Sequence, residues 1–268
     1  MHETGGLQPK RQNARTIVIT GASSGIGKAL ALRYALEGGT LALMGRDQAR
    51  LETVANECRK LGASVRMGLL DVRDRTAMMR WLDDLDHSNP VDLVVANAGL
   101  MAGTPPNGEI EPPGAAYSVI ETNVLGVLNT IQPLLPSMMS RRSGQIAIIG
   151  SVAGFIPLPD CPSYSASKSA VLSYGLSLRT LLSPYGIGVS VVCPGYITTP
   201  MTLRETGHKP FEMPPEKAVD AIVAGLRRNR SVIAFPVIFA VATRLHGLLP
   251  DYLRSWLLAG SRFTVSDN

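Results

Sequence analysis

The chain has 268 residues, 45% of them hydrophobic and 5% aromatic, and 26 Lys and Arg against 21 Asp and Glu leave a net charge of +5. That length can bury a sizeable core in one large α/β domain or two small ones, and the mixed charge belongs to an ordered globule. No basic patch interleaved with aromatics is evident, which argues against a nucleic-acid partner.

Residues 1–15 are polar and lack the apolar stretch of a secretory signal, so they predict a flexible leader. Thr16-Ile17-Val18-Ile19-Thr20 is a short β-branched run that fits a buried parallel strand. Gly21-Ala22-Ser23-Ser24-Gly25-Ile26-Gly27 follows, then a helical pattern to about Glu37. Strands are predicted at 41–44, 64–69 and 91–96, and helices at 48–61, ended by Gly62, and at 73–86. A long helical stretch covers 115–140, with Pro133 and Pro136 marking a kink or an end. A strand at 145–149, a helix carrying Tyr164 and Lys168, and a strand at 187–193 complete the alternation. Repeated strand and helix imply right-handed crossovers and a doubly wound parallel sheet covered on both faces. No linker interrupts the series, so one domain is expected over 16–234.

Such sheets bind ligands at the carboxyl ends of their strands. After the first strand, three glycines allow a tight turn and close approach to a diphosphate, and the next helix offers its amides to the anion. After the second strand stands Gly45-Arg46, with no acid for a ribose 2′-hydroxyl but a guanidinium suited to a 2′-phosphate. The reading is therefore NADP(H) over NAD(H), with Asp47 assigned to capping the following helix. In Ser163-Tyr164-Ser165-Ala166-Ser167-Lys168, the phenol and the ammonium are spaced i, i+4 and share one helix face. A cation there favours the phenolate and brings the group towards a useful acid–base range.

Other chemistries find less support. Cys58, Cys161 and Cys193 are widely spaced, outside any CxxC pattern, and read as buried thiols in a reducing compartment. His2, His87, His208 and His246 have no partner at metal-ligand spacing. Around Ser151, Gly150-Ser151-Val152-Ala153-Gly154 has one residue too many for a nucleophile elbow.

Thr20-Gly21-x-x-x-Gly25-x-Gly27, Asn97-Ala98-Gly99, Ser151 and Tyr164-x-x-x-Lys168, in this order and extended by Pro194-Gly195 and Thr199, resemble the short-chain dehydrogenase/reductase family in its shorter single-domain branch. The resemblance runs from about residue 16 to 233. It implies a Rossmann-type sheet of about seven strands, the last at 231–234. It implies that Tyr164 exchanges a proton with the carbonyl or alcohol, that Lys168 lowers the tyrosine pKa and holds the nicotinamide ribose, and that Ser151 polarises the substrate oxygen. Asn123 would hold a water in the proton relay. Cofactor contacts are implied at Gly21, Ser23, Ser24, Gly25, Ile26, Gly27, Arg46, Asp71, Val72, Asn97, Ala98, Gly99, Pro194, Gly195, Ile197 and Thr199, besides Tyr164 and Lys168; Asn97 is also expected to steady the sheet. A homodimer or homotetramer is implied, as is hydride transfer between NADP(H) and a small-molecule carbonyl or secondary alcohol. The alternative is a catalytically silent NADP(H)-sensing protein of the same fold; a longer-branch sugar-nucleotide epimerase is disfavoured by Asn-Ala-Gly.

Residues 201–215 fall at the family's substrate loop and are largely apolar. Residues 235–268 form an apolar extension with an i, i+3, i+4 stripe through Leu245, Leu249, Leu253 and Trp256. Its apolar run is too short to span a bilayer. The expectation is a cytoplasmic protein whose 235–260 segment packs on its own or a partner subunit or touches a membrane surface, with an apolar or lipid-like substrate.

Overall fold

The computed structural model describes residues 15–106, 110–236 and 263–265. Seven parallel strands lie in the order β3-β2-β1-β4-β5-β6-β7. They are β1 Thr16–Thr20, β2 Thr40–Gly45, β3 Ser64–Leu69, β4 Leu93–Ala96, β5 Gln145–Ile149, β6 Gly188–Pro194 and β7 Val232–Phe235. All five residues of β1 are buried, as a strand covered on both faces requires. Its alternation divides the core: Ile17 and Ile19 face one side, Val18 the other. The first side is covered by α1 (Gly25–Ala35), α2 (Gln48–Lys60) and α8 (Pro215–Arg227), through Leu30, Leu51, Val54 and Ile222. The second is covered by α3 (Arg75–Ser88), α5 (Gly126–Ile131) and α7 (Pro162–Leu182), through Met78, Leu82, Ile131 and Leu178.

The helix starts follow their caps. Asp47 accepts from the Arg50 amide at 3.0 Å, which opens α2 where expected. The third helix begins two residues later than the pattern suggested, because Asp74 accepts from the Ala77 amide at 3.0 Å and so fixes the first turn. The predicted 115–140 helix is a chain of pieces: α4 (Pro113–Ile120), a π turn at Glu121–Leu125, α5, a 3₁₀ turn at Gln132–Leu134, and α6 (Leu135–Arg141). Pro133 and Pro136 cannot donate, and that accounts for the second break. Side-chain bonds of Asn123, described below, accompany the first.

Cys58, Cys161 and Cys193 are buried free thiols. Of the leader only Arg15 is described, and of the extension only 235–236 and 263–265. The leader's flexibility and the Leu245–Trp256 stripe lie outside the described residues. Among the described residues no helix is long and apolar enough to cross a membrane. Chain order reverses between β1 and β4, so the carboxyl ends of these neighbours diverge into a crevice.

Candidate active site

The floor of the crevice is the turn from β1 into α1. Gly21 (φ +64°) and Gly25 (φ +53°) occupy the left-handed region, which glycine enters at little cost. A Cβ on Gly21 would stand 2.8 Å from the Ala98 Cα, and one on Gly27 only 2.3 Å from the Gly21 carbonyl oxygen. This closeness is held by a lattice from β4. The Asn97 and Ala98 amides donate to Thr20 Oγ1 at 3.0 and 3.1 Å, and Asn97 Nδ2 donates to the Thr20 and Gly21 carbonyls at 2.8 and 3.1 Å. Asn97 is thus a strut under the turn. At the head of α1, Ser24 forms no side-chain cap, so its hydroxyl does not cover the first-turn amides.

At the end of β2, Arg46 is 57% exposed and leans towards Asp71 at 3.5 Å. Asp71 is held chiefly by Arg73, at 2.7 Å, whose hydrogen bonds bring its carboxyl down to about 2. Asp47 is committed to Arg50 and the α2 cap, and Arg46 lines the cleft alongside Asp47 and Arg50.

The opposite wall carries the polar cluster. Ser151, just past β5, accepts from the Ala153 amide at 3.1 Å and pulls on the Tyr164 phenol from the same wall. Lys168 lies one turn beyond Tyr164 on α7, its ammonium 5.5 Å from the Tyr164 ring centroid and donating to the Ile149 carbonyl at 2.9 Å. Burial dominates and pushes Tyr164 well above its ordinary range, while the Ser151 hydrogen bond pulls it down only in part. Burial also brings Lys168 down to about 8. At neutral pH the cluster therefore keeps the phenolic proton in place.

Asn123 sits in the π turn, 1% exposed. Its Oδ1 accepts from the Leu100 amide at 2.7 Å, and its Nδ2 donates to the Leu100 carbonyl and Ser167 Oγ, each at 2.9 Å. The side-chain amide thereby ties the chain after β4 to α7.

One cleft of about 740 Å³ gathers nearly all the candidates: Gly21, Ser23, Ser24, Gly25, Ile26, Arg46, Asp71, Val72, Asn97, Ala98, Gly99, Ser151, Tyr164, Lys168, Pro194, Gly195, Ile197 and Thr199 line it. Gly27 and Asn123 stand behind the wall instead. Sequence reasoning missed two residues, one on this lining and one outside it. Thr122 lines the cleft, is 6% exposed, and its Oγ1 has no hydrogen-bond partner among the described residues. Glu205, after β6, has its carboxyl pushed by burial up to about 7, and its charge acts on Tyr164 and Tyr196. Thr122 adjoins a residue the motif marked, whereas Glu205 carries no local signal.

The short chain dehydrogenase family model matches residues 15–209. An uncharacterized oxidoreductase of Myxococcus xanthus is 35% identical over 240 residues, 89% of this chain and 94% of its own length. A short-chain dehydrogenase of Sphingobium yanoikuyae, solved with NADPH, superposes with a TM-score of 0.75 at 28% identity, covering 91% of this chain and 95% of that one. A short chain dehydrogenase of Mycobacterium paratuberculosis, solved with NAD, gives 0.72 at 25% identity over 82% and 94%. With the seven-stranded parallel sheet and a glycine turn facing a Tyr–Lys cluster, these likenesses place the chain in the short-chain dehydrogenase/reductase family of oxidoreductases.

Proposed function

We propose that the chain transfers hydride between NADP(H) and a carbonyl or secondary alcohol of an apolar or lipid-like small molecule. One observation carries the reading: the glycine turn and the Ser151–Tyr164–Lys168 cluster face each other across a single cleft. The residues fit a nicotinamide dinucleotide. Gly21 and Gly25 leave room where a Cβ would press on Ala98 and on Thr199, and Thr122 offers an unpaired buried hydroxyl. Residues 21–27 would hold the diphosphate, Asp71 and Val72 the adenine, Lys168 the nicotinamide ribose, and Thr199 the carboxamide. Such a cofactor supplies or accepts the hydride.

The chain's own groups do the rest. Ser151 directs the substrate oxygen towards Tyr164, and the phenol, kept protonated by burial, gives its proton to that oxygen as the carbonyl is reduced. The Lys168 ammonium beside it offsets the phenolate this leaves, and a proton returns to the phenol from solvent by a water relay along the wall that Asn123 holds. Arg46 favours the 2′-phosphate. The neighbours solved with NADPH and with NAD leave both dinucleotides open to the fold, so the preference rests on Arg46 alone. Leu100, Ile197, Pro200 and Met201 on the lining and the apolar composition of 235–268 support an apolar substrate. Exposed Tyr117 and Leu125 on the α4–α5 stretch and Leu181 near the end of α7 support a homo-oligomer. The intact cluster favours turnover over silent sensing.

The test is NADPH oxidation followed at 340 nm with 2-decanone, acetophenone and glyceraldehyde, and the reverse reaction with the matching alcohols. The reading expects turnover of the two ketones above that of the sugar. Preference for glyceraldehyde would overturn the apolar substrate, and no turnover of any pair would overturn catalysis. A second expectation concerns Thr122→Val. Removing an unpaired buried hydroxyl raises unfolding stability by about 1 kcal/mol, while NADPH affinity falls several-fold because Thr122 lines the cleft. Calorimetric melting and fluorescence titration read the two effects, which have opposite signs; unchanged affinity removes Thr122 from the site.

A further inference from the structure

Three segments distant in sequence meet at Phe263–Val265. Val265 donates its amide to the Thr104 carbonyl at 2.9 Å, and Thr104 donates in turn to the Asp160 carbonyl at 2.7 Å. The Phe263 amide donates to Asp160 Oδ2 at 2.9 Å. On the other side, the Thr206 amide donates to the Thr264 carbonyl at 2.9 Å, the Thr264 amide to Thr206 Oγ1 at 3.0 Å, and the two hydroxyls lie 2.8 Å apart. Glu205 and Val265 pair as an antiparallel bridge. The side at Thr104 and Asp160 is interior, with Val265 3% exposed and Asp160 2%, while the Thr206–Thr264 bonds lie at the surface. Gly103 is small for the same reason, since a Cβ there would stand 2.8 Å from Val265 Cγ2.

The geometry of the loop gives these bonds a consequence. After β6 the chain leaves the sheet and returns at Met213, where its base is closed by the Ile197–Met213 bridge and by bonds from Thr198 to Met213 and from Met213 to Tyr196, at 3.0 and 3.1 Å. Between that base and Thr206 lie Thr199, Pro200, Met201 and Thr202, which line the cleft. Facing them is Leu100, on the segment that ends at Thr104. The tail therefore joins the far point of one wall to the end of the other. Backbone bonds of this kind are each worth about 0.5–1.5 kcal/mol, and those buried at Val265 and Asp160 are costly to leave open.

We propose that Phe263–Val265 is a clasp that fixes the 199–206 loop against the 100–104 segment, so that these C-terminal residues position the carbonyl substrate and not the dinucleotide. This rests on the oxidoreductase reading of the cleft, but the clasp is tested separately from it. The test uses the full chain, Val265→Asp, Thr206→Val and a chain stopped after residue 262, each with and without saturating NADPH, by hydrogen exchange with mass spectrometry. The informative amides are Leu203 and Arg204, whose bonds run to Thr199 and Met201 inside the loop and not to the tail. Their exchange is expected to rise at least tenfold in Val265→Asp and in the shortened chain, and about threefold in Thr206→Val. Exchange in the 16–27 segment and the NADPH dissociation constant should stay within twofold. With 2-decanone, KM should rise at least fivefold with kcat within twofold.

If the loop amides exchange at the wild-type rate in all three variants, the tail only rests on the loop and the proposal falls. If every amide of the first two variants exchanges faster, Thr206→Val decides, since it deletes one hydroxyl and leaves the tail in place; loop exchange equal to wild type in that variant overturns the clasp. Failure of NADPH to bind wild type would remove the cofactor reading while the exchange result still stands.

Discussion

Tyr164→Phe is expected to lower turnover by about 10³-fold, inside the ~10²–10⁴-fold that a positioned proton donor contributes. NADPH affinity should change by less than about twofold, because the ring that packs against the Lys168 ammonium is retained. The expectation follows from geometry first: the phenol shares a cleft wall with Ser151 and with the Lys168 ammonium 5.5 Å from its ring centroid. Burial then holds the proton on the phenol, the state a carbonyl reduction needs. Single-turnover kinetics separate this step from product release. A variant that keeps more than a tenth of the wild-type rate would show that another group donates the proton.

Lys168→Met is expected to make the protein more stable and less active. The lysine is 6% exposed, and burial brings its pKa from 10.5 to about 8. Below pH 8 both the folded and unfolded chains carry the proton, so the full cost of the buried ammonium is present, on the order of 3 kcal/mol. Losing the bond to the Ile149 carbonyl offsets about 1 kcal/mol of the gain, leaving a net stabilisation of about 2 kcal/mol at pH 7. Between pH 8 and 10.5 the unfolded chain binds more protons than the folded one, so wild-type stability gains on the variant as pH rises through that window. Cys58 and Cys161, both raised by burial, act in the opposite direction above pH 9 and cancel in the difference. Cys193 is raised by burial and lowered by the Lys168 charge, so it rises further in the variant and adds to the pH dependence of the difference. Urea unfolding of both proteins at pH 7 and pH 10 measures it. A variant less stable than wild type at pH 7 would mean that Lys168 sits in a fully compensated environment.

Much of this site is legible along the chain. Thr16–Thr20 and Gln145–Ile149 form strands at their expected bounds, because an apolar run buried on both faces has one solution in an α/β alternation. Tyr164 and Lys168 share a wall because helical spacing fixes it. What could not be read locally are properties of contact. The π turn at Glu121–Leu125 interrupts a periodic helix where Asn123 is drawn to Leu100 and Ser167, the latter 44 positions away. The direction of the phenol's shift depends on burial among distant elements. Asp71 engages Arg73 before Arg46, a choice made by side-chain reach. The tail clasp joins Thr206 to Thr264 across 58 positions, and no periodicity announces it.

The proposed activity requires a dinucleotide in the β1–β4 crevice, with Arg46 at its 2′-phosphate. Titration of wild type and Arg46→Ala with NADPH and with NADH, followed by nicotinamide fluorescence, tests it most directly. The prediction is tighter binding of NADPH by about 1–3 kcal/mol, the range of a charge-assisted hydrogen bond, and loss of that preference in Arg46→Ala with NADH affinity preserved. Equal binding of the two by wild type would contradict the assignment of Arg46, and binding of neither would contradict the functional reading of the cleft itself.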